Sequence, residues 1–239
     1  MNYQCTRNSA EQVSAAQAIA QGISGDGGLF VPENLPQYDS SVLEELRDGT
    51  YLQRAERILG DFLTDFTAEE IRECVEKAYG GEKFSGGHPA PLVELPNCPA
   101  PVYLLELWHG PTCAFKDMAL QILPHLLTKS LKKIHSDKTA VILVATSGDT
   151  GKAALEGFRD VEGTKILVFY PQNGVSAMQK TQMTTQEGGN VAVCAIEGNF
   201  DDAQTGVKRI FTDPIMKEKL EEKQESQINY MWNEYELTY

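Results

Sequence analysis

The run Ala140-Val141-Ile142-Leu143-Val144-Ala145 constrains this chain most. Six consecutive apolar residues have no wet side to offer, so as a strand they need cover on both faces of a sheet. The next segment, Thr146-Ser147-Gly148-Asp149-Thr150-Gly151, is small and polar and leads into the stretch Thr150 to Phe158, which is predicted to be a helix. The same unit recurs. Lys165 to Tyr170 and Asn190 to Ile196 are predicted strands, each leading to a predicted helix, over Ser176 to Gln186 and Asp202 to Phe211. Upstream, Val102 to Leu107 reads as a strand and Lys116 to Ile134 as a helix, with Pro124 breaking or kinking it. Strands alternating with helices at this spacing predict a layered α/β domain with a mainly parallel sheet.

The first ninety residues read differently, as mostly helical after a short strand over Met1 to Cys5. Thr67 and Glu70 form a capping box, Ile71, Cys74, Val75 and Ala78 recur at helical spacing, and Gly80 stands where a left-handed C-terminal cap belongs. Glycines and prolines then crowd residues 81 to 100, which places a domain connection there. The expected division is a helical domain over 1–90, an α/β domain over 91–220 and a divergent tail over 221–239.

A formal charge of -13 opposes contact with a phosphate backbone, so no nucleic-acid partner is expected. No apolar run is long enough to span a bilayer and the first twenty residues lack a secretory core, so the expected setting is the cytoplasm, away from membranes. Five cysteines, Cys5, Cys74, Cys98, Cys113 and Cys194, are far apart and odd in number, and the four histidines lack helical pairing, so no metal site is expected.

In a sheet of this kind ligands collect where strands end and helices begin. Three such loops stand out: His109 to Phe115, Thr146 to Thr150 and Pro171 to Val175. Lys116 opens an apolar helix between Phe115 and Met118, where partial burial and a helix N-terminus both favour the neutral amine that Schiff-base chemistry needs. Read from spacing alone, a solvated lysine beside Asp117 is the commoner outcome. Ser147, Gly148, Asp149 and Thr150 can hold an anion at a helix N-terminus, or Ser147, Asp149 or Thr150 can simply cap that helix. The loop is not a Walker A sequence, because Thr146 and Ala153 stand where a glycine and a Ser or Thr are required.

Taken in order, His109 to Asp117, Ala145 to Gly151, Tyr170 to Met183 and Glu197 to Gln204 resemble the motif series of the threonine synthases, and Gly25 to Pro32 is similar to that family's N-terminal signature. The resemblance runs from about residue 3 to about residue 211. It implies the pyridoxal-phosphate fold type II, with pyridoxal 5'-phosphate held as a Schiff base on Lys116. Lys116 then also serves as base and acid, and Ser147, Gly148, Asp149 and Thr150 meet the cofactor and the substrate carboxylate. The implied reaction is a lyase step of threonine biosynthesis, in which O-phospho-L-homoserine and water give L-threonine and phosphate. Asp149, standing where relatives often have Asn, must accept a hydrogen bond or point away from the anion, and Cys113 is expected to pack.

The sequence departs from the family after about Leu220. The family's glycine-rich loop for the cofactor phosphate lies farther on and is not among these residues, so the fold is expected to be incomplete at its C-terminus and the isolated chain inactive, with self-association through uncovered apolar surface. An amino acid dehydratase or cysteine synthase of the same fold, or an inactive fragment, are the alternatives. The His109 to Asp117 motif and the helical N-terminal segment argue against the first two.

Overall fold

The computed structural model describes residues 1–213, 215 and 226–228. At the N-terminus β1 (Tyr3–Cys5) pairs antiparallel with β2 (Gln12–Val13) and β3 (Phe30–Pro32). This small sheet was not expected beyond its first strand. Its partners are two and three residues long, too short to show a period of two. Four helices accompany it: α1 (Ala15–Gln21), α2 (Ser40–Asp48), α3 (Tyr51–Phe62) and α4 (Ala68–Tyr79). The first, third and fourth each begin with a reciprocal capping box, on Ser14, Thr50 and Thr67, and Asp39 caps α2.

The Thr67 box and the apolar stripe of α4 are as expected, but Gly80 is not left-handed. Its backbone is extended (φ -81°, ψ 171°), and a β-carbon there would lie 2.5 Å from the Glu76 carbonyl oxygen. Glycine is needed for close approach rather than for handedness. The left-handed residue is its neighbour Gly81, at φ 66°.

A 3-10 turn over Ser85–Gly87 leads to β4 (Leu92–Glu94), which pairs antiparallel with β5 (Tyr103–Leu105). The proline-rich stretch expected to be a connection therefore contains a strand. Every residue of this hairpin is exposed, Leu92 at 64%, Tyr103 at 55% and Leu105 at 53%.

The predicted long helix is two: α5 (Asp117–Leu120) and α6 (Leu123–Lys133). Pro124 sits in the first turn of α6, where its missing N–H costs nothing, and the break falls at Gln121 and Ile122 just before it. Then β6 (Thr139–Ala145), α7 (Asp149–Phe158), β7 (Thr164–Pro171), α8 (Ala177–Thr184), β8 (Val191–Ile196) and α9 (Phe200–Thr212) alternate as expected, with boundaries shifted by a residue or two.

These strands form a parallel sheet in the order β8-β7-β6-β9, where β9 (Ser226–Ile228) aligns Val141 with Ile228. Within the expected tail over 221–239, residues 226–228 continue the sheet. A three-residue strand with one large apolar side chain carries no period to read. The rest of that tail lies outside the described residues.

Alternation along β6 explains why its run is wholly apolar. Ala140, Ile142 and Val144 face Leu127, Leu131, Leu155, Phe158 and Met183 from α6, α7 and α8, while Leu143 and Ala145 face Ala203 and Val207 of α9. The N-terminal helices share a second core with α6: Phe66, Ile71, Val75 and Phe84 pack with Ile122 and Leu126. Two glycines set the spacing of the layers. A β-carbon at Gly157 of α7 would overlap the Leu120 carbonyl oxygen at the end of α5, and one at Gly151 would overlap Thr146 and Val168.

Candidate active site

Lys116 immediately precedes α5, with helical backbone and a half-buried side chain whose Nζ lies 4.9 Å from the centre of the Phe115 ring. Asp117 fixes the loop ahead of it. This carboxylate is fully buried; Oδ2 accepts from the Thr112 backbone N–H and Oδ1 from the Thr112 hydroxyl, both at 2.8 Å. Burial raises its pKa above the usual carboxylate value, against the Thr112 hydrogen bonds, which pull it down. Gly110 lies against the same carboxylate, and a β-carbon there would overlap it. The sequence His109 to Asp117 thus closes a loop on itself and delivers Lys116 at a fixed point.

A second clasp holds the loop's entry. His109 Nε2 lies 2.6 Å from Glu106 Oε2, its Nδ1 lies 3.1 Å from the Ser85 hydroxyl, and its carbonyl accepts from the Ser85 backbone N–H. The Trp108 and His109 rings stack at 5.8 Å. Neither Glu106 nor Ser85 was singled out by sequence reasoning. Glu106 stands three residues before His109, but Ser85 is 24 residues away and offered no signal. Cys113 corrects an expectation: it is exposed rather than packed, in a left-handed conformation (φ 58°) that turns the loop outward.

The second loop leaves β6, an interior strand of the sheet, and enters α7. The N-cap position is Gly148, which makes no side-chain capping bond. The fully buried Thr146 accepts through Oγ1 from the N–H groups of Gly148, at 3.0 Å, and Gly151, at 2.9 Å. Gly148 at φ 149° permits this turn, and a β-carbon on it would overlap the Gln179 amide. Asp149 is exposed and accepts from Gln179 Nε2 at 2.8 Å, so its carboxylate is engaged by α8. Gln179 also completes the capping box of α8 with Ser176. In the third loop the Gly174 N–H bonds back to the Pro171 carbonyl at 3.0 Å. The helices entered from the first two loops, α5 and α7, pack through the Leu120–Gly157 approach.

One group of three potential metal ligands, Cys5, Glu11 and Asp26, lies together among the described residues. The Ser24 hydroxyl sits 2.8 Å from Glu11 and 2.7 Å from Asp26, so hydrogen bonding accounts for the cluster.

His125 faces into the protein from α6, and burial pushes its imidazole down to about 4, with Lys83 and Lys77 adding to the shift and Glu73 opposing it. The native state therefore binds fewer protons than the unfolded chain between about pH 6.5 and 4, and stability falls as pH drops through that window. Urea unfolding at pH 7 and pH 5 is expected to differ by about 1–2 kcal/mol from this group alone, solvent screening of a side chain that is not wholly enclosed keeping the figure modest. His125→Asn is expected to flatten the difference.

The model for pyridoxal-phosphate dependent enzymes matches residues 83–223, and that for the threonine synthase N terminus matches residues 2–79. The chain belongs to the family of pyridoxal-phosphate dependent enzymes. Within it, the chain is similar to the N-terminal portion of threonine synthases. It is 42% identical over 217 residues to that of Pseudomonas aeruginosa, covering 89% of this chain and 44% of the relative, and 37% identical over 219 residues to that of Escherichia coli, covering 92% and 48%. Among solved structures, the PLP-bound threonine synthase from Brucella melitensis superposes with a TM-score of 0.85 at 35% identity, over 98% of this chain and 48% of that one. The chain thus spans less than half the length of these relatives.

Proposed function

We propose that this chain is the part of a threonine synthase that carries the cofactor lysine, Lys116, and the carboxylate-binding loop Ser147 to Thr150. The observation that carries the reading is the Asp117–Thr112 clasp, a buried carboxylate whose role is to present the neighbouring amine from a rigid loop. The donor set also fits the group. A primary amine that is half-buried beside an aromatic ring, together with a ten-residue helix whose N-terminus is lined by Gly148, Ser147 and Thr150, suits a carbonyl-bearing, anionic cofactor such as pyridoxal 5'-phosphate. When bound, the cofactor supplies an electron sink for charge developing at substrate carbons.

The remaining work falls to the chain's own residues. The Lys116 amine anchors the cofactor and, once released, accepts and returns protons at the substrate's Cα and Cβ. The N-terminus of α7 receives the substrate carboxylate through backbone N–H groups and the Ser147 and Thr150 hydroxyls. Asp149, engaged by Gln179, keeps its own negative charge out of that exchange. The overall reaction is O-phospho-L-homoserine plus water to L-threonine plus phosphate. Incubation with pyridoxal phosphate and O-phosphohomoserine, with phosphate and threonine assayed together, tests the reading in a full-length context. Ammonia with a 2-oxo acid formed from added serine or threonine, and no threonine formed from O-phosphohomoserine, would instead identify a dehydratase. The 239 residues alone are expected to show no turnover at a rate typical of the family, since the relatives are about twice as long.

No described helix is long and apolar enough to cross a membrane. A cytoplasmic setting belongs to the same proposal and suits five unpaired cysteines. So does self-association through the exposed β4–β5 hairpin, an apolar patch of the kind that seeks a partner. Leu105→Lys is expected to lower the weight-average mass in sedimentation equilibrium toward the monomer. An unchanged mass places the contact elsewhere.

A further inference from the structure

We propose that the cleft between the α5–α6 break and the C-terminal end of α7 binds a free α-amino acid, its carboxylate received by Gln121, His125 and Lys83. The cleft has a volume of about 840 Å³, ample for such a ligand with some water. Two buried polar atoms of its lining have no hydrogen-bond partner: Nε2 of Gln121, a residue only 2% exposed, and Nε2 of His125. The amide nitrogen is a donor only and the imidazole Nε2 donates in its Nε2–H tautomer, the form in which one acceptor serves both. Gln121 at the break and His125 on α6 line the same cleft, and the Lys83 ammonium lines it with them.

The class of ligand is set by the rest of the wall. Five basic and five acidic side chains line the cleft, a balance that suits a zwitterion and disfavours phosphate or a polyanion. Among the acids, Glu156 is already paired with Arg159 at 3.1 Å and Lys152 at 3.5 Å and Asp160 accepts from the Gly189 N–H, which leaves Glu82, Asp137 and Glu162 to meet an ammonium. The site is separate from the proposed catalytic one and does not rest on it. It abuts the C-terminal end of α5, whose other end adjoins Lys116, so an occupant bears on the element that presents the lysine.

The test uses the whole chain, cofactor-free and ¹⁵N-labelled, titrated with glycine as the smallest α-amino acid to about 10 mM. The Gln121 side-chain amide and His125 ring resonances are expected to shift saturably, with acetate and methylammonium each binding at least about tenfold more weakly. Gln121→Leu abolishes the shift of His125. Lys83→Met, a substitution at an exposed position, weakens glycine about tenfold and keeps the test decisive if the buried substitution fails to fold. No saturable shift with glycine, equal affinity in the wild type and Lys83→Met, or saturation by inorganic phosphate in glycine's place would each overturn the proposal.

Discussion

Replacing Lys116 by alanine is expected to abolish covalent retention of pyridoxal phosphate and, in a full-length context, to lower threonine formation by at least about 10⁴-fold, since anchor and proton-transfer group are lost together. The fold should survive. Lys116 is half-buried, its side chain touches the Phe115 ring, and the Asp117–Thr112 clasp does not involve it. Circular dichroism and the urea midpoint should therefore match the wild type while the cofactor absorbance disappears. A variant that keeps a borohydride-stable cofactor on the protein removes Lys116 from the role. Lys116→Arg should be as inactive as alanine, because a guanidinium stays charged and forms no reversible bond to a carbonyl.

Gly157→Val is expected to have the largest effect on the fold. The glycine brings α7 against the last carbonyl of α5, and any β-carbon would overlap that oxygen. The helices must move apart, which uncovers Leu155 and Phe158, both fully buried in the main core. Overpacking of this sort costs roughly 1–3 kcal/mol, and the loss of contact around Phe158 adds to it. We expect a destabilisation of about 3–5 kcal/mol in urea, enough to unfold a marginal domain. Gly206→Val on α9, where nothing stands within 4 Å of a β-carbon, is the control and should be neutral or slightly stabilising, since valine is the better helix former.

Much of this architecture was legible, and the reasons lie in particular residues. Ala140 to Ala145 has to be covered twice, and α6, α7 and α8 on one side with α9 on the other provide the cover. The Thr67–Glu70 box and the break before Pro124 are local events, decided within one helical turn. What escaped depends on partners distant in sequence or on backbone angles. The capping of α7 by Thr146 depends on the turn at Gly148, which Gln179, 31 residues on, closes. Ser85 reaches His109 only because the chain folds back through the β4–β5 hairpin. The strand at Ser226–Ile228 exists by pairing with β6, since three residues carry no pattern of their own.

The candidate site was legible as residue types in order, and less so as geometry. Lys116 and the segment Ser147 to Thr150 are marked by the motif series. The contacts that hold them, Asp117 on Thr112 and Glu106–His109–Ser85 for the first loop and Thr146 with Gln179 for the second, emerge only in three dimensions. Such supporting contacts are what convert a reactive side chain into a positioned one.

The most direct measurement is to incubate the protein with pyridoxal 5'-phosphate, reduce with borohydride, digest, and locate the pyridoxyl group by mass spectrometry. A single modified peptide carrying Lys116 is the expected result, with no modification of Lys83 or Lys152. Stoichiometric labelling of another lysine, with Lys116 recovered unmodified, would contradict the assignment.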